Sequence, residues 1–420
     1  MAVYMCLDLK SFYASVECAD LGVDPFTTPL VVADASRGLG AITLAISPAL
    51  KKLGVKNRCR LFEIPSTVEY MAVKPRMRRY MEVSATIYGT LLEYVAPEDI
   101  HVYSIDEYFI DITPYGRLYK QTFPELALTF QGKVLEKTGI YSTVGIGTNL
   151  FLAKVALDVL AKHEPQGIDL LDETRFKEKI WYHQPITDIW QIGKGIANRL
   201  RKYGVVDLHG ITTVPEARLY REFGVNAELL IDHAWGREPC TMKEIHAYRP
   251  AKHSLSRGQI LLRNYTFDEC FVPLREMVES LVLELVAERA VTKHVSVSVA
   301  YANREVRRTG GSRSLPEYTC SVAVLSEAVL RLYRETTHQA QEIRQLSVGL
   351  EDLVNREAIP WEMDLFATNE GEEEKAYQVE RTVLEIKEKF GGNSILRASS
   401  LQEEGTMRFR NTLIGGHNAT

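Results

Sequence analysis

Three acidic side chains stand at positions where they could act together. Asp8 ends a short apolar run near the start of the chain, and Asp106 and Glu107 stand side by side between two runs of β-branched and aromatic residues. Clustered carboxylates repel one another unless cations neutralise them, and Mg²⁺, which also binds phosphates, prefers oxygen ligands. Two such ions about 4 Å apart can activate an attacking hydroxyl and stabilise a leaving group. An acid pair is also common in a simple polar turn, whereas Asp8, next to a buried strand, needs a partner.

The elements that would position these acids follow from the pattern of apolar residues. Residues 3–9 and 142–146 indicate buried strands, and residues 101–105 and 108–112 indicate two strands joined at Asp106 and Glu107. Helical spacing predicts helices at residues 11–19, 76–94, 123–137 and 149–162. This order is that of a ferredoxin-like domain with an insert after its first strand. Because the first and third strands of such a sheet are neighbours, we expect the three carboxylates to converge at one edge.

The rest of the chain divides into a helical part and a second α+β unit. Residues 170–235 look entirely helical, and the polar, proline-bearing stretch 237–253 is typical of a linker. Apolar residues alternate with small polar ones over 295–301, which predicts a strand with one buried face. Apolar stripes predict helices around 274–285 and 325–332, a strand is expected at 346–350, and the acidic tail is partly helical at 377–389.

Composition narrows the class of protein. At 420 residues, with 45% hydrophobic and 25% charged residues, the chain is typical of a globular protein with more than one domain. We find neither an apolar run that could cross a bilayer nor a charged leader, so we expect no membrane association and no signal peptide. Six scattered cysteines without a C-x-x-C pair favour reduced thiols in the cytoplasm. A net charge of −5 disfavours a nucleic-acid binder, although a basic face needs only a local excess.

Several runs of sequence resemble one family in the same order. LDLKSFYASVE (residues 7–17) and SIDE (104–107) resemble the two catalytic motifs of Y-family translesion DNA polymerases. GIGTNLFLAK (145–154) is similar to the palm segment that follows, DIWQIGKGIANRL (188–200) to the thumb, and GREPC (236–240) to the start of the next linker. Length and tail look most similar to the UmuC-like branch, the type of the polymerase V catalytic subunit.

The resemblance implies an α+β multidomain fold. It comprises a ferredoxin-like palm with inserted fingers, a helical thumb with a helix-hairpin-helix, and a second α+β domain, the little finger. The implied limits are 1–25 and 76–166 for the palm, 26–75 for the fingers, 167–236 for the thumb, 237–253 for the linker, 254–355 for the little finger and 356–420 for the tail.

The resemblance also implies the roles of the catalytic residues. Asp8, Asp106 and Glu107 match the family's metal ligands, with the Leu9 carbonyl as a backbone ligand, and the cofactors would be two Mg²⁺ ions. Tyr13 would lie beneath the sugar and exclude a 2′-hydroxyl.

A second implied set of residues would hold the incoming deoxynucleoside triphosphate. Phe12 completes an aromatic pair with Tyr13, although it also fits ordinary core packing. The backbone amides of Lys10, Ser11 and Phe12 would face the triphosphate. Lys51 and Lys162 match the family's basic contacts to it, although a lone lysine is more often a solvated surface group. Pro48 stands where some relatives carry tyrosine, which leaves open what covers the new base pair.

Two basic features would hold primer-template DNA. Gly193-Lys194-Gly195 resembles the turn of a helix-hairpin-helix, where backbone amides hold a DNA phosphate. A basic run in the second α+β unit suits phosphate contact, or is a solvated loop. Its members are Arg304, Arg307, Arg308 and Arg313, and we expect Arg257 to lie with Ser296 and Ser298 on the polar face of the same sheet.

A short peptide in the tail suggests a protein partner. Residues 362–366 resemble the sliding-clamp peptide of bacterial polymerases, with Leu365 and Phe366 as apolar anchors. Glu362 departs from the usual glutamine, and the segment also fits a hydrophobic stretch that covers the last domain. A UmuD-like subunit or a recombinase is a further partner that the sequence leaves open.

Two other functions compete with a polymerase. One is a non-catalytic accessory protein that binds DNA or a clamp, and retention of three carboxylates and Tyr13 disfavours it. The other is a palm-type nucleotidyl cyclase, which the thumb motif, the clamp-like peptide and the second α+β unit disfavour.

Overall fold

The strand that carries Asp8 lies in the first of two units. The computed structural model describes residues 2–250, 253–359 and 370–420. One unit contains residues 1–248 and 418–420, and the other contains residues 249–417. The predicted first strand forms as β1 (Tyr4–Leu9), and the predicted helix follows as α1 (Phe12–Leu21). The helix ends at Gly22, whose φ of 69° is the left-handed conformation that glycine adopts without steric cost.

The predicted insert has its own sheet and core. Its elements are β2 (Leu30–Val32), β3 (Ala45–Ile46), α2 (Pro48–Lys52) and β4 (Met71–Val73). β2 is central, antiparallel to β3 and parallel to β4. Val31, Ile46 and Leu50 are fully buried in a separate apolar cluster. The hydroxyl of Ser47 accepts a hydrogen bond from the Leu50 amide and so caps α2.

The remaining palm elements complete a five-stranded sheet. They are α3 (Met77–Leu92), β5 (Ile100–Val102), β6 (Glu107–Asp111), α4 (Tyr115–Tyr119), α5 (Phe123–Thr138), β7 (Ser142–Gly147), α6 (Leu150–Val155) and β8 (Ile168–Leu171). The sheet order is β5-β6-β1-β7-β8. The ferredoxin-like order is therefore confirmed, and β1 neighbours β6, the third predicted strand, as expected. On its other side β1 pairs with β7.

β8 corrects one expectation. The sequence pattern places residues 170 and 171 in a wholly helical stretch, yet Ile168–Leu171 pairs in parallel with β7 at the edge of the palm sheet. A four-residue strand shows too little alternation to be distinguished by pattern, and its pairing partner decides its conformation.

Two glycines allow α6 to pack directly on β7. A Cβ atom at Gly147 would lie 2.1 Å from the Ala153 nitrogen, and one at Gly145 would lie 2.1 Å from the Ala153 carbonyl oxygen. The helix continues through a π turn at Ala156–Leu160 and a tight turn at Ala161–His163. This close packing fixes the helix that follows β7 against the strands that carry the acids.

The thumb is helical, as expected. Its helices are α7 (Glu173–Lys179), α8 (Lys194–Arg201), α9 (Leu208–Thr213), α10 (Glu216–Phe223) and α11 (Asn226–Ala234). The predicted linker contains a helix, α12 (Met242–Ala247), which buries Met242 in a palm cluster with Tyr4 and Phe109.

The second unit is a five-stranded antiparallel sheet with helices on one face. Its elements are β9 (Leu255–Tyr265), α13 (Phe271–Ala287), β10 (Ala290–Tyr301), β11 (Thr309–Thr319), α14 (Val322–Thr336), β12 (Ile343–Glu351) and β13 (Val354–Asn355). The order is β11-β10-β12-β9, and the short strand β13 pairs with one end of β10. Val295, Val297 and Val299 face the helices, as their alternation predicts. β9 and β11 were not predicted, because both are edge strands rich in polar residues.

The tail packs on the second unit. It contains α15 (Glu370–Phe390), α16 (Met407–Arg410), β14 (Leu413–Ile414) and β15 (His417–Asn418). The buried carboxylate of Glu276 accepts hydrogen bonds from the Thr406 and Met407 amides at 2.8 and 3.0 Å. No helix in the described part of the chain is both long enough and apolar enough to cross a bilayer.

Candidate active site

The three predicted acids meet at one edge of the palm sheet. Asp8 of β1 lies directly opposite Glu107 of β6, and opposed residues of antiparallel strands share a face. The Leu9 amide donates to the Asp106 carbonyl oxygen at 3.0 Å, which places Asp106 just beyond the paired strands. The Ser104 hydroxyl donates to the Asp106 carboxylate at 2.7 Å. The strands therefore place the three residues at one edge of the sheet, as their pattern predicts.

Two lysines and an aspartate of the helix after β7 connect two of these acids. The Lys154 ammonium lies 2.5 Å from the Glu107 carboxylate and 3.0 Å from that of Asp158. Lys162 lies 2.8 Å from the other oxygen of Asp158 and 4.0 Å from Asp8. Sequence reasoning missed Lys154 and Asp158. Their signal is the spacing of 154, 158 and 162, which places three alternating charges on one helical face.

Electrostatics at this edge disfavours ionised Asp8. Burial, helped by the Asp106 and Glu107 carboxylates and opposed by Lys162, raises the pKa of Asp8 to about 6. Burial and the neighbouring Glu107 also raise the pKa of the Cys6 thiol, which donates to Glu107 at 3.1 Å. Burial therefore favours the neutral forms of Asp8 and Cys6 in the absence of a bound cation.

The donor set suits a hard divalent cation. Carboxylate oxygens of Asp8, Asp106 and Glu107 stand at the edge where β1 ends at Leu9, and oxygen ligands are those that Mg²⁺ prefers. A bound cation would favour the ionised form of Asp8, which burial and the two neighbouring carboxylates disfavour. Across the described residues, however, no three His, Cys, Asp or Glu side chains are already gathered around one point. Glu107 is turned toward Lys154 and Cys6 instead.

The turn after β1 carries the residues expected to face a triphosphate. Ser11 adopts a left-handed conformation, with φ of 50°, immediately before α1. Its hydroxyl accepts a hydrogen bond from the Lys51 ammonium at 2.8 Å, which brings Lys51 to this turn. Burial lowers the pKa of Lys51, an effect that nearby Asp8 opposes. Lys10, Ser11, Lys51 and Lys162 are thus brought to the same end of the sheet as the acids.

The aromatic pair occupies two different environments. Phe12 is buried, in agreement with core packing, and Tyr13 is half-buried. The Tyr13 ring contacts that of Tyr80, with centroids 4.8 Å apart. Tyr80 is held in turn by a 2.6 Å hydrogen bond from its hydroxyl to the buried carboxylate of Glu17. The Tyr13 ring therefore packs against the Tyr80 ring, whose position is fixed by its hydrogen bond to Glu17.

The glycines of the predicted helix-hairpin-helix face open space. Gly193 precedes α8, and Gly195 is the second residue of that helix. A Cβ atom at either position would meet no heavy atom of the protein within 4 Å. The fold therefore does not require glycine here for steric reasons.

The arginines of the second unit divide into two groups. Arg304, Arg307 and Arg308 are exposed in the turn between β10 and β11. Arg313 is opposite Val295 in the sheet, and it pairs with Glu335 of α14.

Arg257 corrects another expectation. It is opposite Val348, on the helix-covered face, and pairs with Glu284 of α13. The expectation that it shares a face with Ser296 and Ser298 is wrong, because strand register places it one residue out of phase with them.

The uncovered face of this sheet is lined by small polar residues. A groove of about 540 Å³ runs over it, lined partly by Ser256, Ser296, Ser298 and Ser347. Side chains of this size leave backbone and hydroxyl groups accessible. The predicted clamp anchors, Leu365 and Phe366, lie outside the described residues.

Comparison with known proteins yields matches over nearly the whole chain. Residues 7–158 match the impB/mucB/samB family, and residues 252–365 match that family's C-terminal domain. A UV-damage repair protein, UvrX, of Bacillus subtilis is 32% identical over 98% of this chain and 97% of its own length. DNA polymerase IV 2 of the same organism is 32% identical over 99% of this chain and 98% of its own.

A solved structure shares the fold. A Y-family DNA polymerase chimera of Dbh and Dpo4 superposes with a TM-score of 0.63 at 21% identity. The match covers 84% of this chain and 99% of the chimera. The match supports the predicted α+β multidomain fold class.

Proposed function

The chain belongs to the Y family of DNA polymerases and is a DNA-directed DNA polymerase, and we propose that it copies damaged templates at low fidelity by two-metal nucleotidyl transfer. The observation that carries the proposal is the register of β1 and β6, which sets Asp8 opposite Glu107 beside Asp106. Lys51 and Lys162 stand at the same edge.

The acids would serve as metal ligands. Asp8, Asp106 and Glu107, with the Leu9 carbonyl, would hold two magnesium ions. When bound, these ions supply activation of the primer 3′-hydroxyl and stabilisation of the leaving pyrophosphate. Asp8 stays ionised more readily once a cation offsets its neighbours, which removes one cause of its raised pKa.

The turn after β1 and two lysines would bind the triphosphate. The amides of Lys10, Ser11 and Phe12 offer donors to phosphate oxygens. Lys51, already within reach of the Ser11 hydroxyl, and Lys162 would offset charge that develops on the leaving phosphates. Tyr13, supported from behind by Tyr80, would block a 2′-hydroxyl and so select deoxynucleotides.

DNA contacts would come from both units. The open surface at Gly193, Lys194 and Gly195 admits a phosphate close to the backbone amides. In the second unit, exposed Arg304, Arg307 and Arg308 would contact phosphates beside the serine-lined groove. Arg257 and Arg313 contribute less, since both are already paired with glutamates.

The remaining assignments concern branch, partners and location. Assignment to the UmuC-like branch stays a prediction, because the relatives above are named UvrX and DNA polymerase IV 2. Binding of a sliding clamp through Leu365 and Phe366, and of a UmuD-like subunit or recombinase, also stays a prediction. All six cysteines are free thiols, which supports a reducing cytoplasm.

Primer extension on an undamaged template and on one with an abasic site tests the proposal. We expect Mg²⁺-dependent extension on both, with frequent misincorporation. Extension that stops before the abasic site under all conditions would contradict the translesion role. No extension on either template, even with a clamp added, would favour the non-catalytic DNA-binding alternative.

A further inference from the structure

An alternating chain of charges links two catalytic carboxylates through one helix. It runs from Glu107 to Lys154, Asp158, Lys162 and Asp8, with successive separations of 2.5, 3.0, 2.8 and 4.0 Å. The three middle members are four residues apart on the helix that the glycines of β7 hold against the sheet. These charged side chains therefore have little freedom to move together relative to the sheet.

Its innermost contact is shielded from solvent. The side chains of Lys154 and Glu107 are only 7% and 10% exposed, so salt screens their attraction weakly. The Cys6 thiol donates to the same oxygen of Glu107 that Lys154 contacts. Glu107 is thus held in place by two donors that belong to the protein itself.

We propose that Lys154 is a positioning residue that holds Glu107 in the metal-free enzyme and competes with a divalent cation for its carboxylate. Asp158 is the second positioning residue, since it offers Lys154 another carboxylate. The inference rests on the proposed function, in which Glu107 is a metal ligand.

The two contacts of Lys154 explain why the exchange is feasible. A buried cation that loses its only partner is strongly destabilising. Lys154 keeps Asp158 at 3.0 Å when Glu107 turns to a metal, so its charge stays paired. Without Asp158, Lys154 would depend on Glu107 alone and would release it less readily.

Binding of Mn²⁺ alone to the full chain, without DNA or nucleotide, tests these roles. Free Mn²⁺ is measured by its electron paramagnetic resonance signal. We expect Lys154→Met to bind Mn²⁺ about tenfold more tightly than wild type, equivalent to about 1.4 kcal/mol, and Asp158→Asn to bind it more weakly. An unchanged or lower affinity of Lys154→Met overturns the inference.

A double-mutant cycle separates the direct contact from a general charge effect. Removal of any nearby positive charge would raise cation affinity somewhat, whereas the proposed effect passes through Glu107. Lys154→Met should therefore raise affinity in wild type but not in a Glu107→Gln background. An equal gain in both backgrounds overturns the inference.

Melting temperatures and Mn²⁺ binding by Asp106→Asn distinguish an effect on folding from an effect on metal binding. Lys154→Met leaves the Glu107 carboxylate with the Cys6 thiol but without a cation, so we expect a lower melting temperature without metal and recovery when Mn²⁺ is added. A variant that remains destabilised at saturating Mn²⁺ counts against the role, and Lys154→Gln repeats the test with a polar side chain. If Asp106→Asn binds Mn²⁺ like wild type, the proposed metal site itself fails. If Asp106→Asn binds Mn²⁺ more weakly but Lys154→Met does not bind it more tightly, the metal site stands and only the role of Lys154 is wrong.

Discussion

At the scale of single residues, the candidate site keeps Asp8 in surroundings that disfavour its ionised form, and a bound cation would offset this. Asp8 faces Glu107 across the sheet, and its nearest cation, Lys162, is 4.0 Å away and shared with Asp158. Catalytic sites often concentrate such perturbed groups, because the same arrangement that strains the free protein binds a cation or substrate.

The raised pKa of Asp8 gives a signed prediction for stability. Folding raises this pKa from 3.8 to about 6 by burial, with repulsion from Asp106 and Glu107. The folded state therefore binds the proton more tightly than the unfolded state, and stability falls as pH rises from about 4 to about 6. Asp8→Asn should raise the free energy of unfolding of the metal-free protein by roughly 3 kcal/mol at neutral pH.

Urea unfolding in the presence of a chelator checks this value. The gain should shrink near pH 4.5 and also when Mg²⁺ is added, since the cation stabilises only the wild type. Equal stability of the two proteins at neutral pH without metal would contradict the account of Asp8.

Tyr13 offers a prediction on substrate choice. Tyr13→Ala should reduce the preference for deoxynucleotides over ribonucleotides about tenfold or more, the scale of a single pocket contact. Tyr13→Phe is the matched control, because it retains the ring that rests on Tyr80. The ratio of kcat/KM for the two nucleotide types measures the effect, and an unchanged ratio in Tyr13→Ala would remove Tyr13 from sugar selection.

At the scale of elements, a substitution at the start of α8 can test DNA binding without disturbing the fold. Gly195 stands in the first turn of this helix with open space around it, so alanine fits there and favours the helix. Gly195→Ala should leave the free energy of unfolding unchanged or raise it by up to about 1 kcal/mol. Its added methyl group should nevertheless weaken DNA binding, because it stands where a phosphate approaches the amides.

Gly89→Ala is the matched control for this prediction. Gly89 lies within α3, far in sequence from the thumb, and a Cβ atom added there would also meet no heavy atom within 4 Å. Fluorescence anisotropy with labelled primer-template DNA should show weaker binding for Gly195→Ala only. Equal affinities would mean that the turn does not hold DNA.

Sequence pattern predicted the elements that position the acids, for identifiable reasons. β1, β6 and β7 are short and strongly apolar, and the helices between them have regular apolar spacing. β8, β9 and β11 were missed, because edge strands carry polar residues or too few residues to alternate. The roles of Lys154 and Asp158 were missed, because charged residues spaced four apart usually indicate the solvated face of a helix.

At the scale of the whole molecule, net charge says little about DNA binding. The chain carries −5 overall, yet three arginines are exposed around one turn of the second unit. Family resemblance supplied the domain types, and periodicity alone could not have done so. The resemblance could not predict on which face of the sheet Arg257 and Arg313 lie, because that depends on the register of strands that were not predicted.

The salt dependence of DNA binding tests whether the exposed arginines contact DNA more than those paired with glutamates. Arg307→Ala should lower affinity and reduce the slope of log affinity against log salt by about 1, because one phosphate contact is lost. Arg313→Ala, which removes an arginine already paired with Glu335, should leave the slope nearly unchanged. Equal effects of the two substitutions would contradict the assignment.

The central claim is that Asp8, Asp106 and Glu107 catalyse nucleotide addition. Single-turnover incorporation of one deoxynucleotide with Mg²⁺, by wild type and Asp106→Asn, tests it most directly. Asp111→Asn, at the other end of β6, is the matched control, and anisotropy verifies that all three proteins bind primer-template DNA. We expect incorporation by wild type and Asp111→Asn, and a loss of about a thousandfold or more in Asp106→Asn with DNA binding intact. Incorporation by Asp106→Asn at the wild-type rate would contradict the claim.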